Sequence, residues 1–494
     1  MNSKGKNIKG IMAVIAIFVT LSVIVGVVMA VTSTGAPMQN DSGTEQTDST
    51  VTDSTSDVTE DSPQTDSTEG EAVSDKENAS SQDENASSDS GDSSSGEADT
   101  ETAPEPTAAP TASPTASPTA APTAPPVSDA SKDMYSAVWI SYLEFQSVDF
   151  SSKSAFKADV NEMFANCADM GINTVIVQVR PFGDALYKSD IFPTSHLVNG
   201  VQGAQLSFDP LEEMVKIAHS LDLRIEAWVN PYRVRLHNKM PDNIARSNPA
   251  NNTDLVFEVG GGVYYNPALE EVQDMVVDGI AEIVENYDVD GIHLDDYFYN
   301  ENADMSIDKS DYTASGTKLS QEDWRRENVN TLVRKIYKKV KSIDSGVTFG
   351  ISPQGNNDNN YHIQYSDVNL WLREEGYVDY IMPQLYWGFG YLTKSGRDDY
   401  QFINLCEQWA DYPRHSSVKL YIGMGAYRIG DGDGGANDQS EWSSGNNLMK
   451  MVAAVDADKD ISGFGLYRYD NLFKNSKYPL LAQSEIEHLT DILK

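Results

Sequence analysis

The chain has 494 residues, of which 75 are acidic and 36 are basic, so its formal net charge at pH 7 is −39. Such a polyanion repels nucleic acid, because phosphate binding requires clustered Lys and Arg side chains that release counterions. Two cysteines in so long a chain exclude a disulfide scaffold and a cysteine-rich zinc site. The composition therefore predicts no nucleic-acid partner and no cysteine-bound metal.

The first 31 residues carry three lysines and no acidic residue. The lysines precede an uncharged run, Ile11–Val31, that is rich in Val, Ile and Met. At about 1.5 Å per residue, a helix of this length spans a hydrocarbon core of ~30 Å. Residues 1–31 are therefore predicted to be a transmembrane anchor with a cytoplasmic N-terminus, and a cleaved signal sequence is the alternative. Either would place the rest of the chain outside the membrane.

Residues 32–132 have the composition of a linker. Up to about residue 105 the segment is acidic, rich in Ser and Thr, and almost without large apolar side chains. Such a segment cannot bury enough surface to offset the entropy of ordering. A Pro-Thr-Ala-Xaa repeat from Pro106 to Pro126 then favours extended polyproline II. We expect a disordered stalk that holds a catalytic domain away from the membrane, or else a generic spacer.

Residues 133–494 alternate between short buried strand patterns and helical patterns. Eight such units predict an α/β fold, an eight-stranded parallel (β/α)8 TIM barrel. A doubly wound open sheet is the alternative, but no glycine fingerprint follows the first strand. The predicted strands are Ala137–Ile140, Thr174–Val179, Arg224–Val229, Gly291–Leu294, Thr348–Ser352, Tyr380–Met382, Lys419–Ile422 and Gly463–Leu466.

Helical patterns lie between these strands. The best defined covers Pro267–Tyr287, with Asn266 as the expected N-cap and proline at the first helical position. Cys167 and Cys406 fall on two helices that should not touch in a barrel, which predicts two buried free thiols.

Function in such a barrel gathers at the C-terminal ends of the strands. Those ends carry carboxylates, amides, arginines and aromatic rings, a mixture that suits a sugar polymer. Rings stack on the C–H faces of sugars, amides and carboxylates bond the hydroxyls, and two carboxylates can perform hydrolysis. The polar stretches cover residues 178–187, 226–233, 293–299, 352–356, 382–387, 423–428 and 467–469.

Five stretches, in this order, resemble the family 10 glycosyl-hydrolase-like proteins, long catalogued as a domain of unknown function. They are Gln178–Tyr187, Ala227–Arg233, Asp290–Tyr299, Gly350–Asn356 and Met382–Trp387. The resemblance covers about residues 135–471 and implies a β/α barrel and a glycosidase. The best-understood relatives are envelope enzymes that cut peptidoglycan glycan strands stripped of their stem peptides. Relatives often carry His at the position of Glu226.

Asp295, Asp296 and Asp184 are the candidate catalytic carboxylates. Alternation along the strand sends His293 and Asp295 to the same, inward side. Adjacent residues point to opposite sides, so one aspartate of the pair would act and the other would orient it or bind a hydroxyl. Asp184 or Glu226 would then be the opposing group. In the alternative reading the pair only bonds backbone amides and holds a loop.

The remaining candidates would bind substrate. Two of them, Arg180 and Arg233, would hold acidic or amide substituents of the sugar, or would pair with local acids. His293 is expected to orient or pack and not to bind a metal. No metal and no cofactor is predicted. The predicted substrate-binding residues are Arg180, Glu226, Trp228, Asn230, Tyr232, Arg233, His293, Tyr297, Tyr299, Gln354, Gln384, Tyr386, Trp387, Tyr427 and Arg468.

Together with the resemblance, these patterns predict an extracytoplasmic glycoside hydrolase on cell-envelope glycan, and the resemblance implies peptidoglycan glycan strands as the first choice. The alternatives are a glycosidase on a capsular or dietary polysaccharide and a non-catalytic carbohydrate-binding barrel. A metal-dependent deacetylase or phosphodiesterase is disfavoured, because the sequence shows no metal-binding cluster. The expected location is the bacterial cell wall region, either anchored by one membrane span or secreted.

Overall fold

The computed structural model describes residues 134–237, 241, 244–437 and 439–494. The predicted anchor, residues 1–31, and the predicted linker, residues 32–132, lie outside these residues. Within the described part of the chain, no helix combines the length and the apolar character needed to cross a membrane.

Strands form two sheets in the described chain. The larger sheet is parallel throughout, with the order β10-β9-β8-β7-β3-β2-β1-β12-β11, and the smaller is antiparallel, with the order β4-β6-β5. The strands are β1 (Tyr135–Ile140), β2 (Thr174–Arg180), β3 (Arg224–Val229), β4 (Arg233–Arg235), β5 (Val256–Val259), β6 (Gly262–Tyr265), β7 (Gly291–Leu294), β8 (Thr348–Ile351), β9 (Tyr380–Ile381), β10 (Lys419–Leu420), β11 (Ile422–Gly425) and β12 (Gly463–Tyr467).

The larger sheet returns on itself. Its two end strands, β10 and β11, are consecutive pieces of the chain separated only by Tyr421. β10 pairs with β9, and β11 pairs with β12, so the nine strands occupy eight positions around a barrel. The predicted α/β barrel is therefore confirmed, and each predicted strand overlaps an observed one.

The helices surround this barrel. Their bounds in the described chain are α1 (Tyr142–Phe145), α2 (Lys153–Met170), α3 (Pro210–Ser220), α4 (Glu270–Asn286), α5 (Lys309–Ser315), α6 (Gln321–Ile343), α7 (Asn357–His362), α8 (Val368–Arg373), α9 (Phe402–Asp411), α10 (Asn447–Ala457), α11 (Tyr469–Phe473) and α12 (Pro479–Leu493). The main core lies between the helices and the outer face of the sheet. On β2, for example, Val175, Val177 and Val179 are fully buried in that core. Burial of each such side chain contributes roughly 1.5–3 kcal/mol.

A second, smaller core fills the barrel interior. Alternate residues of the strands point inward, and among them Trp139, Trp228 and Tyr380 form an aromatic cluster. Two strand glycines make room for the first indole, because a Cβ atom at Gly465 or Gly423 would lie 2.7 or 3.1 Å from the Trp139 ring. The interior is thus packed and carries large rings directly below the mouth.

Two details differ from the sequence-based expectation. The helix α4 begins at Glu270, not at Pro267, because the Asn266 side chain accepts from Ala268 N (3.0 Å) in a separate turn. The antiparallel sheet was not predicted, although its turn had a signal: Gly260 and Gly261 both have positive φ, as a two-residue hairpin turn requires. The expectation for the cysteines is confirmed, since both thiols are free and buried.

Candidate active site

Asp295 follows β7 directly and lies at the barrel mouth. The side chain is only 5% exposed. Its Oδ2 accepts hydrogen bonds from Asn230 Nδ2 (2.6 Å) and Trp228 Nε1 (3.2 Å), and its Oδ1 accepts from Tyr297 N (3.1 Å). Three N–H donors therefore converge on this carboxylate, and such donors favour its charged form.

The amide of Asn230 is itself oriented by a neighbour. Gln178 Nε2 donates to Asn230 Oδ1 (2.6 Å), and Gln178 Oε1 accepts from Tyr142 N (2.9 Å). Because the oxygen of Asn230 is engaged in this way, its NH2 group is directed at Asp295. A chain of amides thus connects the ends of β1, β2 and β3 to the carboxylate.

A buried cation lies beside Asp295. Arg233 is 3% exposed and donates from Nε to Pro181 O (2.9 Å). Its guanidinium carbon lies 5.0 Å from the centroid of the Phe182 ring and 5.1 Å from that of Tyr297. Burial raises the pKa of Asp295 above its ordinary value, and the positive charge of Arg233 opposes that rise. Since a desolvated guanidinium needs a counter-charge, this arrangement favours an ionised Asp295.

Asp296 has a different environment. It is half-buried, and its Oδ1 accepts from Gln384 Nε2 (3.1 Å), which also donates to Ser352 O (3.0 Å). Burial, followed by the negative charge of Asp295, raises the pKa of Asp296 to about 7. Asp295 is therefore the first of the pair to ionise, and Asp296 retains its proton near neutral pH. The mouth holds an anion next to a proton donor.

Three half-buried tyrosines form an aromatic wall at the ends of β9, β11 and β12. The ring centroid of Tyr386 lies 5.5 Å from that of Tyr427 and 5.8 Å from that of Tyr467. The Tyr467 ring in turn lies 6.1 Å from Trp139 in the barrel interior. Trp387 belongs to a neighbouring group, 5.1 Å from the Tyr400 ring. These rings offer faces on which sugars can stack.

The loop after Trp387 is held by two carboxylates. Asp433 Oδ2 accepts from Gly388 N (2.9 Å), and Glu441 accepts from Phe389 N (3.1 Å) and Gly390 N (3.2 Å). A Cβ atom at position 388 would collide with the Glu441 carboxylate. Glycine is therefore required there, and the loop next to the aromatic wall is fixed.

Glu226 does not reach the mouth. It precedes Asn230 by four residues, or roughly 13 Å along an extended strand, and is fully buried. Its Oε2 accepts from Tyr380 OH (2.5 Å), which lies 2.7 Å from His293 Nδ1. Trp139 Nε1 donates to His293 Nε2 (3.2 Å), so the imidazole hydrogen is on Nδ1 and points to Tyr380.

Burial controls the charge of this deep chain of side chains. It raises the pKa of Glu226 to about 7 and lowers the pKa of His293 to about 3, so the imidazole is neutral. His293 thus lies on the inward side, as alternation predicted, and it contacts other protein side chains. Among the described residues there is no cluster of three or more His, Cys, Asp or Glu side chains that could hold a metal.

Several predicted site residues are placed elsewhere. Asp184 is buried in its own loop and accepts from His196 N (3.1 Å) and Gln202 Nε2 (3.0 Å). A register shift between Gln178 and Arg180 turns that arginine to the outer layer, 4.4 Å from the Phe192 ring centroid. The structure therefore does not bring Asp184 or Arg180 to the aspartate pair.

The other predicted residues divide in the same way. Tyr232 and Tyr299 are buried in the outer core, and Arg468 pairs with the buried Glu144. Those that contact the pair or its partners are Trp228, Asn230, Arg233, Tyr297, Gln354, Gln384 and, within the wall, Tyr386 and Tyr427.

Sequence reasoning missed three contributors. Gln178 and Tyr467 lie inside stretches that were recognised as polar strand ends, so inward alternation could have identified Gln178 through its spacing from Ile176. Gln364 comes from a loop without a strand signal. In the amide orientation that satisfies its neighbours, it donates to the backbone oxygens of Asp296 (3.0 Å) and Tyr299 (2.6 Å).

Comparison with known proteins identifies the family of this chain. Residues 135–444 match the family described as glycosyl hydrolase-like 10. The chain is 33% identical to glycosyl hydrolase YngK of Bacillus subtilis over 341 residues, 64% of each chain, and so covers less than two thirds of that relative. It is 35% identical to glycosyl hydrolase DigH of Escherichia coli K12 over 334 residues, 62% of this chain and 74% of the relative.

Among solved structures, the fold is similar to the glycoside hydrolase domain of PgaB (BpsB) from Bordetella bronchiseptica. The TM-score is 0.50 at 10% identity, over 73% of this chain and 99% of that domain, which is a likeness of fold alone. The family match covers more than half of the sequence and includes Asp295, Asp296 and the side chains that donate to them. This chain belongs to the glycosyl hydrolase-like 10 family.

Proposed function

We propose that this protein is an extracytoplasmic glycoside hydrolase that cleaves cell-envelope glycan, with peptidoglycan glycan strands as the preferred substrate. The observation that carries the proposal is the pair at the mouth: Asp295, whose charged form three N–H donors and the charge of Arg233 favour, lies next to Asp296, whose pKa is raised to about 7. Two carboxyl groups whose environments separate their pKa values are the usual acid and base of glycosidases. The names of the family and of its relatives support the reaction class.

The two aspartates would divide the work. Asp296 gives its proton to the glycosidic oxygen as the bond to the anomeric carbon breaks, and Asp295 stabilises the positive charge that develops at that carbon. Gln384 orients Asp296 through the hydrogen bond that it donates to this acid. The aromatic wall of Tyr386, Tyr427 and Tyr467 would bind the sugar rings of the polymer.

Product analysis tests the reaction class. The protein is incubated with purified peptidoglycan glycan strands that have been stripped of peptides, and new reducing ends and released acetate are measured. New reducing ends support a glycosidase, whereas acetate alone would indicate a deacetylase and an unchanged polymer would indicate a binding protein. A parallel incubation with a capsular polysaccharide tests the choice of glycan.

The location is part of the proposal and has its own test. If residues 1–31 anchor the protein and residues 32–132 extend from the membrane, residues 133–494 alone should retain full activity on soluble glycan strands. The same truncated chain, secreted by cells, should lose activity on envelope-associated glycan. Equal activity of the truncated and full-length chains in cells would contradict a positional role of the N-terminal segments.

A further inference from the structure

We propose that the site acts on a 2-acetamido sugar and uses the acetamido oxygen of the substrate itself as the nucleophile. This inference rests on the proposed function and deepens it by naming the substituent that the sugar must carry. It rests on the placement of carboxylates, on the hydrogen bonds of Asp295 and on the apolar floor beside it.

None of the three further candidates, Asp184, Glu226 and Glu144, supplies a second carboxylate on the opposite side of the mouth. Direct two-carboxylate mechanisms place the groups on two sides of the scissile bond, about 5–5.5 Å apart for retention and about 6.5–9.5 Å apart for inversion. Asp295 and Asp296 are consecutive residues. Asp184, Glu226 and Glu144 are each no more than 1% exposed, and each has hydrogen-bond partners within the protein.

Glu144 shows how completely such a group can be occupied. It accepts from Ser141 N (2.8 Å), Ser141 Oγ (2.7 Å) and Asp470 N (3.1 Å), and it pairs with Arg468. These bonds close the first turn of α1 and join it to the end of β12. The carboxylate therefore has a structural task and is closed to an anomeric carbon.

The hydrogen bonds of Asp295 suit an orienting role better than nucleophilic attack. A carboxylate has about four acceptor positions, and here Asn230 and Trp228 occupy both on Oδ2 while Tyr297 N occupies one on Oδ1. One position on Oδ1 is left, which matches the single N–H of an acetamido group. Three donors and the adjacent Arg233 charge also reduce the nucleophilicity of the carboxylate.

The reaction then balances without a covalent bond to the protein. The acetamido carbonyl oxygen forms a bond to C1 as the bond from C1 to the glycosidic oxygen breaks, and Asp296 transfers its proton to that oxygen. Asp295 accepts the hydrogen bond of the acetamido N–H and stabilises the resulting cyclic oxazolinium ion. Water next attacks C1 as the bond from C1 to the acetamido oxygen breaks, and the water gives a proton to Asp296. This step regenerates the acetamido group and retains the anomeric configuration.

The floor next to Asp295 fits the acetyl methyl group. Trp228 donates its indole N–H to the carboxylate, and it belongs to the same interior cluster as Trp139 and Met382. The apolar side chain of Trp228 provides a surface against which a methyl group can be buried. A sugar with a free hydroxyl or amine at C2 would gain neither this contact nor a nucleophile.

The test varies the nucleophile of the substrate and leaves the protein unchanged. Peptide-free glycan strands are N-deacetylated, and one half is re-acylated with acetyl groups as the matched control, the other half with trifluoroacetyl groups. Fluorine withdraws electron density from the carbonyl oxygen at a similar size. With the full-length protein we expect kcat to fall at least about tenfold on the trifluoroacetyl strands with KM little changed, since the loss is confined to the transition state.

The anomeric configuration of the first product, followed by NMR, completes the experiment, and we expect retention. Equal kcat on the two strands, or an inverted product, would overturn this inference while the proposed glycosidase function stands. A failure to cleave the acetylated strands would overturn the proposed function and this inference together. A slower reaction on trifluoroacetyl strands with retention supports the proposal.

Discussion

Burial raises the pKa of carboxyl groups at two places in the barrel, at the mouth and deeper inside. Burial raises the pKa of Asp296 and of Glu226 to about 7 in both places. At the mouth, however, Asp296 is half-buried and adjoins Asp295, where three N–H donors and the charge of Arg233 oppose the effect of burial and favour the charged form. In the interior, Glu226 is enclosed by Tyr380 and the neutral His293.

The comparison of Asp296 with Glu226 shows that a raised pKa does not by itself identify a catalytic group. Such shifts also occur wherever a polar network is enclosed in a core. What distinguishes the mouth is the combination of access, an adjacent anion and remaining capacity for hydrogen bonds. Substitutions at the mouth and in the interior should therefore have different effects.

The largest effect is expected at the mouth. Asp296→Asn should lower turnover on peptide-free glycan strands by about 10²–10⁴-fold, because a neutral amide cannot donate a proton to the leaving oxygen. Release of reducing ends is the measurement, and circular dichroism checks the fold. The matched control is Asp278→Asn on the exposed side of α4, which should leave turnover unchanged. A variant Asp296→Asn with near-normal turnover would remove the assigned acid.

Removal of the cation that pairs with the buried Asp308 should lower the stability of the fold. Arg325 Nε donates to Asp308 Oδ2 (2.7 Å), both side chains are fully buried, and the guanidinium lies 4.8 Å from the Tyr299 ring centroid. Arg325→Met would leave an unpaired buried charge and should lower the free energy of unfolding by about 3–5 kcal/mol. Denaturant unfolding measures this.

The control for this variant is an exposed pair. Arg373 pairs with Glu374 at 3.1 Å, and both side chains are more than half exposed. Arg373→Met should change the free energy of unfolding by less than about 1 kcal/mol, because exposed pairs are screened by water. Similar losses in the two variants would contradict the expected cost of leaving Asp308 buried without its cation.

Stability should depend on pH through Glu226. The folded protein holds a proton on Glu226 up to about pH 7, whereas the unfolded chain releases it near the ordinary pKa of about 4.3. The folded state therefore binds more protons between these values, and the stability that Glu226 contributes below pH 4 is lost as the pH rises through 7. Glu226→Gln should be more stable than the unaltered protein at pH 8, by up to about 3 kcal/mol, since each pKa unit is worth about 1.4 kcal/mol.

The measurement is denaturant unfolding of both proteins at pH 4.5 and pH 8. At pH 4.5 the two should differ by less than about 1 kcal/mol, because this pH is only just above the ordinary pKa of about 4.3 while Glu226 is neutral in the folded state. A difference between the proteins that is the same at both pH values would contradict the assignment of a raised pKa to Glu226.

Much of the fold could be predicted from the sequence, because local pattern and topology agreed. The predicted strand Gly291–Leu294 is observed with the same bounds, since a strand that other elements cover on both faces is mostly apolar. The helix α6 begins after Ser320, whose side chain caps it, and serine is a residue type that favours this position. The hairpin of β5 and β6 was not predicted, because alternating strand and helix patterns indicate only parallel strands.

The site was predictable only in part. Alternation placed His293 on the inward side, and the strand end identified Asp295. The sequence pattern could not show that a register shift turns Arg180 outward, or that Asp184 is hydrogen-bonded within its own loop. Both depend on local backbone geometry. Nor could sequence distance reveal the contact of Gln384 with Asp296, 88 residues apart.

The most direct measurement compares Asp295→Asn with Glu226→Gln in the same assay. Both substitutions keep the shape of the side chain and remove a buried carboxylate. We predict that Asp295→Asn folds and loses at least about 10²-fold in the rate of reducing-end release, the usual scale for such a group. Glu226→Gln should stay within about threefold of the unaltered protein, because its amide oxygen can still accept from Tyr380. Near-normal turnover of Asp295→Asn, with a large loss in Glu226→Gln, would contradict the assignment of catalysis to the mouth.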